Sequence, residues 1–217
     1  MPELTKTLMQ KLYGRDIWQG FRPAAVSTEV QGWNGNHTSL KRLTSSEGAK
    51  IVVDVGVWKG QSTITMAHAM RSRNIDGCVI AIDTFLGSAE HWSGPLSLFE
   101  REHGRPDLYK TFLSNVWEAG LTDYVIPMPQ TSVTSAVILA RLGVTASVIH
   151  VDAAHEYDEV MRDAVEYWKL LKPGGYLIGD DYSDDSWPGV LKAAGEFSAK
   201  VGRALVIEPP KWILRKK

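Results

Sequence analysis

Five short runs rich in β-branched and aliphatic residues, at 51–53, 78–82, 124–126, 148–151 and 176–178, recur along this chain with longer segments of helical period between them. Strands that alternate with helices are joined by crossovers rather than tight turns, which predicts an α/β architecture: a mostly parallel sheet, doubly wound, with helices on both faces. The helical segments agree with that reading. Over 158–171 the apolar residues Met161, Ala164, Val165, Trp168 and Leu171 repeat at 3.6 periodicity. Lys172-Pro173-Gly174-Gly175 then stops the helix, because proline cannot continue it and glycine permits the reversal. A helix starting near Pro188 places Val190, Ala193, Ala194 and Phe197 inward. The last two apolar runs, 204–208 and 211–214, flank Pro209-Pro210, and so short a return pairs neighbouring strands antiparallel. The first fifty residues hold no strand-like run. Leu4, Leu8, Met9 and Leu12 have helical spacing, and a loop rich in Gly, Asn and Ser occupies 26–37. With no repeat or linker, the chain reads as a single domain over 1–217, an N-terminal extension (1–50) preceding a core (51–217).

At 217 residues the chain is long enough for one full hydrophobic core. With 24 basic and 25 acidic side chains it carries no electrostatic footprint for a polyanion, so a small molecule is a better expectation for its partner than nucleic acid. The single cysteine, Cys78, lies in an apolar run and reads as a small buried hydrophobe. No stretch approaches the roughly 20 apolar residues needed to span a bilayer. A soluble, cytoplasmic protein without membrane partners is therefore expected.

In open parallel sheets ligands bind beyond the carboxyl ends of the strands. The first run leads into Asp54-Val55-Gly56-Val57-Trp58-Lys59-Gly60-Gln61-Ser62, where Gly56 and Gly60 can bring backbone close to a ligand at a helix start. A tight turn with no ligand is the alternative. The second run ends at Asp83, 29 positions after Asp54 and just before Thr84; an acid there can accept from both ribose hydroxyls of a nucleoside, or cap a helix. The dinucleotide fingerprint is absent, since Val57-Trp58-Lys59 separates Gly56 from the next glycine.

Together with Pro173-Gly174-Gly175 ahead of the fifth run and the terminal hairpin, these features resemble the class I S-adenosylmethionine-dependent methyltransferases from about residue 51 to the C-terminus. The resemblance implies a Rossmann-like sheet of seven strands, mostly parallel, with one antiparallel strand near the end. It implies Asp54, Gly56 and Gly60 near the methionine part of the cofactor, with Trp58 and Ser62 in the same turn. Asp83 and Thr84 would lie at the ribose, Gln130, Thr131 and Ser132 beside the adenine, and Asp152 against the cofactor. Thr131 and Ser132 have an equal claim to capping the next helix.

Beyond the fourth and fifth runs stand Asp152-Ala153-Ala154-His155-Glu156-Tyr157 and Gly179-Asp180-Asp181-Tyr182. Carboxylates brought together there repel unless a cation neutralises them, and hard oxygen ligands point to Mg²⁺, with Mn²⁺ or Ca²⁺ as substitutes. The alternative makes Asp180 and Asp181 caps of the next helix or loop. A cation on an alcohol oxygen lowers its pKa, and a nearby base takes the proton as the oxygen attacks a methyl carbon. His155 suits that base. The string is similar to the metal-dependent sugar O-methyltransferases of the macrocin and mycinamicin type, which implies Asp152, Asp180 and Asp181 on the metal and His155 as base. The chain departs from that type in its length, in lacking an auxiliary domain, and in Ala154, where some relatives carry an acid. Trp33 and Trp92 lie in loops suited to stacking on a ring, and Trp187 comes shortly after the acidic pair. Three functions compete on this reading: a sugar or glycoside O-methyltransferase, a catechol-type O-methyltransferase, and a non-catalytic cofactor-binding subunit. A homo-oligomer fits the resemblance.

Overall fold

The computed structural model describes residues 1–23, 32–94, 99, 101–183 and 185–217, and all but the side chain of Glu90 among these. The part of the expected polar loop at 26–31 lies outside the described residues. From residue 51 onward strand and helix alternate: β1 (Ile51–Val55), α3 (Gln61–Ser72), β2 (Cys78–Asp83), α4 (Ala89–Ser93), a two-residue hairpin β3 (Arg101–Glu102) and β4 (Arg105–Pro106), α5 (Leu108–Glu118), β5 (Val125–Pro129), α6 (Ser132–Arg141), β6 (Ala146–Val151), α7 (Tyr157–Leu170), β7 (Leu171–Gly179), α8 (Pro188–Val201), β8 (Val206–Glu208) and β9 (Lys211–Arg215). Ahead of them stand α1 (Glu3–Tyr13) and α2 (Thr38–Thr44).

Seven strands form one sheet in the order β5-β2-β1-β6-β7-β9-β8, parallel except where β9 runs against both β7 and β8. The fold class read from the sequence is the observed one. β1, β2 and β6 are buried at nearly every position rather than at alternate ones, because helices cover both faces of the sheet. The chain winds outward from β1 through β2 to β5, then crosses back to place β6 on the other side of β1. That reversal opens a crevice at the carboxyl ends of β1 and β6, where an open sheet binds its ligand.

Two details differ from the periodicity. In α7 the most deeply buried positions are Val160, Asp163, Ala164, Tyr167 and Leu170. Met161, Val165 and Trp168 are only partly buried, with Trp168 set edge-on to Phe197 of α8. The helix is wedged between α6 and α8 and so buries a broader arc than one stripe. Lys172-Pro173-Gly174-Gly175 also does not form a separate turn but opens β7, whose register against β6 shifts between Ala146 and Val148.

The N-terminal extension covers the β5 edge of the sheet. The Trp18 indole donates to the Val125 carbonyl at 2.9 Å and the Tyr13 hydroxyl donates to the Pro127 carbonyl. Those carbonyls would otherwise template pairing with another strand.

Candidate active site

The sheet continues one residue past its strands. Gly56 N–H donates to the Ile82 carbonyl (2.9 Å), Asp152 N–H to that of Val55 (2.8 Å) and Asp180 N–H to that of Val151 (3.2 Å). Four strand ends are thereby tied into one floor. Gly56 has φ +82°, and a Cβ there would stand 1.9 Å from the Asp152 carbonyl oxygen, so the turns after β1 and β6 can touch only because this residue has no side chain. Above the floor lies a cavity of about 640 Å³.

Of the residues expected on a cofactor, Gly56, Trp58, Ser62, Asp83, Thr84, Gln130, Thr131, Ser132 and Asp152 line this cavity. Asp83 organises the end of the cavity beyond β2. Its Oδ2 accepts the Trp58 N–H at 2.9 Å and its Oδ1 the Phe85 N–H at 2.7 Å. Both donors are left-handed aromatic residues, with φ +50° and +55°. The Thr84 N–H is a third backbone donor to this carboxylate, and with about four acceptor positions in all one remains for a ligand hydroxyl. Burial raises the Asp83 pKa, against the pull of those backbone donors. Thr131 caps α6 by accepting the Thr134 N–H at 3.2 Å, and Ser132 donates to Asp163 Oδ1 at 2.6 Å. Asp163, which no sequence motif marks, also lines the cavity; burial first, then Glu159, raise its pKa to about 6 although Ser132 lowers it.

Asp54 and Gly60 do not line the cavity. Gly60 caps α3, where a Cβ would press on Phe112 at 3.1 Å. Asp54 is fully buried beneath the floor. Its Oδ2 accepts the hydroxyls of Ser62 (2.8 Å) and Thr63 (2.6 Å). Its Oδ1 lies 2.7 Å from Nδ1 of His150, which stands opposite it in the β1–β6 register. His150 Nε2 is in turn 3.0 Å from Nζ of Lys211, and Lys211 donates to Oδ2 of Asp180. An ammonium only donates, so Nε2 accepts and Nδ1 carries the hydrogen given to Asp54. A continuous buried chain of Asp54, His150, Lys211 and Asp180 thus runs under the crevice, with Asp54, His150 and Lys211 wholly inaccessible.

The acid cluster divides along this line. Asp180 Oδ1 accepts the Asp181 N–H at 2.8 Å and its Oδ2 is held by Lys211; Asp180 does not line the cavity. Asp152, His155 and Asp181 do line it, with side chains 21 to 26% exposed. His155 Nε2 stands 2.8 Å from Asp181 Oδ2 and 4.0 Å from Asp152 Oδ1. Asp181 sits at φ +56°, a conformation an aspartate tolerates at some cost. Burial first, then the Asp180 carboxylate, push the Asp152 pKa well above the carboxylate range; Lys211 pulls it back and Asp181 raises it further. Ligand atoms of Asp152, His155 and Asp181 all lie within 4.8 Å of one another, and so do those of His150, Asp152 and Asp180. The Trp187 indole stacks on His155, ring centres 4.1 Å apart at 25°, fixing the imidazole against Asp181.

His91 shows no metal-ligand spacing in the sequence, yet its ring stacks on Trp58 at 3.9 Å and lines the cavity. Trp33, 64% exposed, joins that wall at 6.2 Å from His91. Trp92 lies outside the lining, its indole N–H bound to the Leu86 carbonyl. No spacing motif announces a stack of one residue each from three separate segments.

A family described as a methyltransferase domain matches residues 53–182, which spans β1 through the acid cluster. The chain belongs to this methyltransferase-domain family. The match contains every residue of the cavity floor and leaves out Lys211. Solved structures with the same fold include the O-methyltransferase NovP, with TM-score 0.62, 20% identity, and 82% of this chain and 78% of that one covered. The O-methyltransferase TomG from Streptomyces achromogenes, in complex with SAM, has TM-score 0.57 at 18% identity over 88% of this chain and 82% of that one. CalS11, a TDP-rhamnose 3'-O-methyltransferase of calicheamicin biosynthesis, has TM-score 0.58 at 16% identity over 82% and 77%. Identities this low establish the fold. Among curated proteins, an uncharacterised protein R132 of Acanthamoeba polyphaga mimivirus is 34% identical over 65 residues, 30% of this chain and 29% of that protein. The match thus spans less than a third of that relative's length. No helix among the described residues is long and apolar enough to cross a membrane.

Proposed function

We propose that this chain is an S-adenosylmethionine- and Mg²⁺-dependent O-methyltransferase acting on a hydroxyl of a small molecule, a sugar or glycoside. The observation that carries the cofactor reading is the charge of the cavity. Among its described lining residues five carboxylates, Asp83, Asp152, Glu159, Asp163 and Asp181, face a single arginine, Arg162. Such a cavity repels a pyrophosphate and attracts a cationic ligand. The sulfonium of S-adenosylmethionine is such a cation, and it supplies a methyl group that passes to the acceptor oxygen as the carbon–sulfur bond breaks.

The chain's own groups do the rest. Asp83 accepts from the ribose. Asp152 and Asp181 line the cavity with ligand atoms within 4.8 Å of each other and offer the hard oxygens a divalent cation takes. A cation there would lower the pKa of the acceptor hydroxyl. His155 takes the acceptor's proton on its imidazole, and Asp181 beside it favours the imidazolium that forms. Trp187 and Asp181 hold the ring in one orientation. The sugar reading draws support from the likeness of fold to the TDP-rhamnose methyltransferase and from an exposed Trp33 at the cavity rim.

Titration calorimetry with S-adenosylmethionine, with and without Mg²⁺, tests the cofactor. Turnover of labelled cofactor against panels of glycosides and catechols tests the acceptor. Saturable cofactor binding and metal-stimulated transfer to glycosides are expected. Absence of cofactor binding would sink the reading, and transfer to catechols alone would replace its acceptor.

A further inference from the structure

His150, Asp152, Asp180 and Lys211 form an inner group in which the position a cation would take is already filled. His150, Asp152 and Asp180 present ligand atoms within 4.8 Å of one another. His150 Nε2 and Asp180 Oδ2 are both partners of the Lys211 ammonium. Lys211 is fully buried and Asp180 nearly so, with side-chain exposures of 0% and 2%. Lys211 opens β9, which pairs antiparallel with β7 so that Trp212 faces Gly179; the lysine is therefore held directly beside Asp180 by the sheet itself. A Cβ at Gly179 would stand 2.0 Å from the Trp212 ring, so the indole packs directly on the glycine.

We infer that Lys211 is the resident cation of the inner acid group. It holds Asp180 as a positioning residue and closes that group to divalent metal, leaving Asp152 and Asp181 as the carboxylates that face an incoming cation. The inference rests on the acid cluster being the acceptor side of the proposed methyl-transfer site. Its physical basis is charge. A divalent ion bound by Asp180 Oδ2 and His150 Nε2 would displace an ammonium that has no solvent to move into, or lie against it without screening. Asp180 then acts through its neighbours. Its Oδ1 accepts the Asp181 N–H and so fixes the left-handed turn that presents the Asp181 carboxylate to His155. The same lysine orients His150 and, through it, Asp54, so one buried cation ties the cofactor turn to the acceptor side.

Mn²⁺ is the probe, read in two ways on the full chain. Crystals of the native protein grown with Mn²⁺ and recorded at the manganese edge show where the ion sits. The expected result is an anomalous peak on Asp152 and Asp181, or none at the site, with Lys211 still on Asp180 in either case. A peak ligated by Asp180 and His150 with Lys211 swung away overturns the inference. Lys211→Met, similar in length and uncharged, is then titrated with Mn²⁺ by calorimetry and electron paramagnetic resonance. Freeing the inner group should add a Mn²⁺ site or tighten binding by about tenfold or more. A folded variant whose affinity and stoichiometry match the native protein overturns the inference. If the variant does not fold, the native crystals decide alone. Cofactor calorimetry on the native protein separates a failure here from failure of the methyltransferase reading.

Discussion

Asp163 provides the most direct test of the cavity's electrostatics, because a few identified neighbours set its environment. Its carboxyl is 4% exposed on α7, accepts the Ser132 hydroxyl, and has Glu159 one turn before it. With an ordinary value of 3.8 and a buried one of about 6, ionising this group in place costs about 3 kcal/mol relative to the unfolded chain. The native state therefore holds its proton more tightly than the unfolded state between these values. Stability contributed by the protonated form is full below pH 3.8 and is lost as pH rises through about 6. Asp163→Asn keeps an oxygen for Ser132 and removes the charge. Equilibrium urea unfolding of both proteins at pH 5 and pH 7.5 should show the variant ahead by about 1.5 kcal/mol at the lower pH, because the unfolded aspartate is already ionised there while the native one is not. At the higher pH the variant should gain as much as about 3 kcal/mol, or roughly 2–4 °C of melting temperature per kcal/mol. Because other groups titrate equally in both proteins, the difference isolates this one. A variant no more stable at pH 7.5, or one whose advantage does not change with pH, refutes the assignment of burial as the dominant cause.

Gly56→Ala puts a methyl group 1.9 Å from the Asp152 carbonyl at φ +82°. It should cost about 3 kcal/mol, near the top of the range for overpacking, and abolish cofactor binding; denaturant melts and calorimetry measure both. His155→Gln should lower kcat about 10²–10⁴-fold with cofactor affinity unchanged, whereas a matched loss of cofactor binding would make the residue structural. Asp181→Ala should abolish metal-supported turnover while cofactor binding survives, as read by steady-state rates with and without Mg²⁺ beside calorimetry.

The sheet was legible because its strands are buried on both faces and so appear as unbroken apolar runs between helical segments. The terminal hairpin was legible from Pro209-Pro210 between two such runs. That Asp83, Asp152, His155 and Asp181 line the crevice was legible by position, since each lies at or just past a strand end and strand ends converge in this topology. Periodicity failed where a helix has two neighbours, as in α7. It gave no hint that Asp54 and Asp180 would turn away from the cavity, because the residues that draw them inward, His150 and Lys211, are distant in sequence. A signal for those two did exist: each is a polar residue within a stretch whose neighbours are all core, 148–151 and 211–214. A buried histidine or lysine needs a partner, and two of them on nearby strands of one sheet are natural partners for the carboxylates beside them. The His91–Trp58–Trp33 stack has no comparable signal, since it depends on how three loops fold over one another.

The burial of Asp54 also changes what the turn after β1 can recognise. An acid at the end of the first strand reads from sequence as a direct contact for the methionine part of the cofactor. In the folded chain both of its oxygens are committed, one to His150 and the other to Ser62 and Thr63. The consequence is passed on through Ser62, which lines the cavity. Its hydroxyl hydrogen points down to Asp54, so toward a ligand its oxygen can only accept. An acceptor backed by a buried carboxylate favours an ammonium and disfavours a carboxylate. On the proposed reading, the α-amino group of S-adenosylmethionine is the complement of Ser62, and Asp54 acts on it at one remove. The acidic turn then contributes by fixing the polarity of a neutral hydroxyl, with its own charge balanced through His150 by Lys211 of β9.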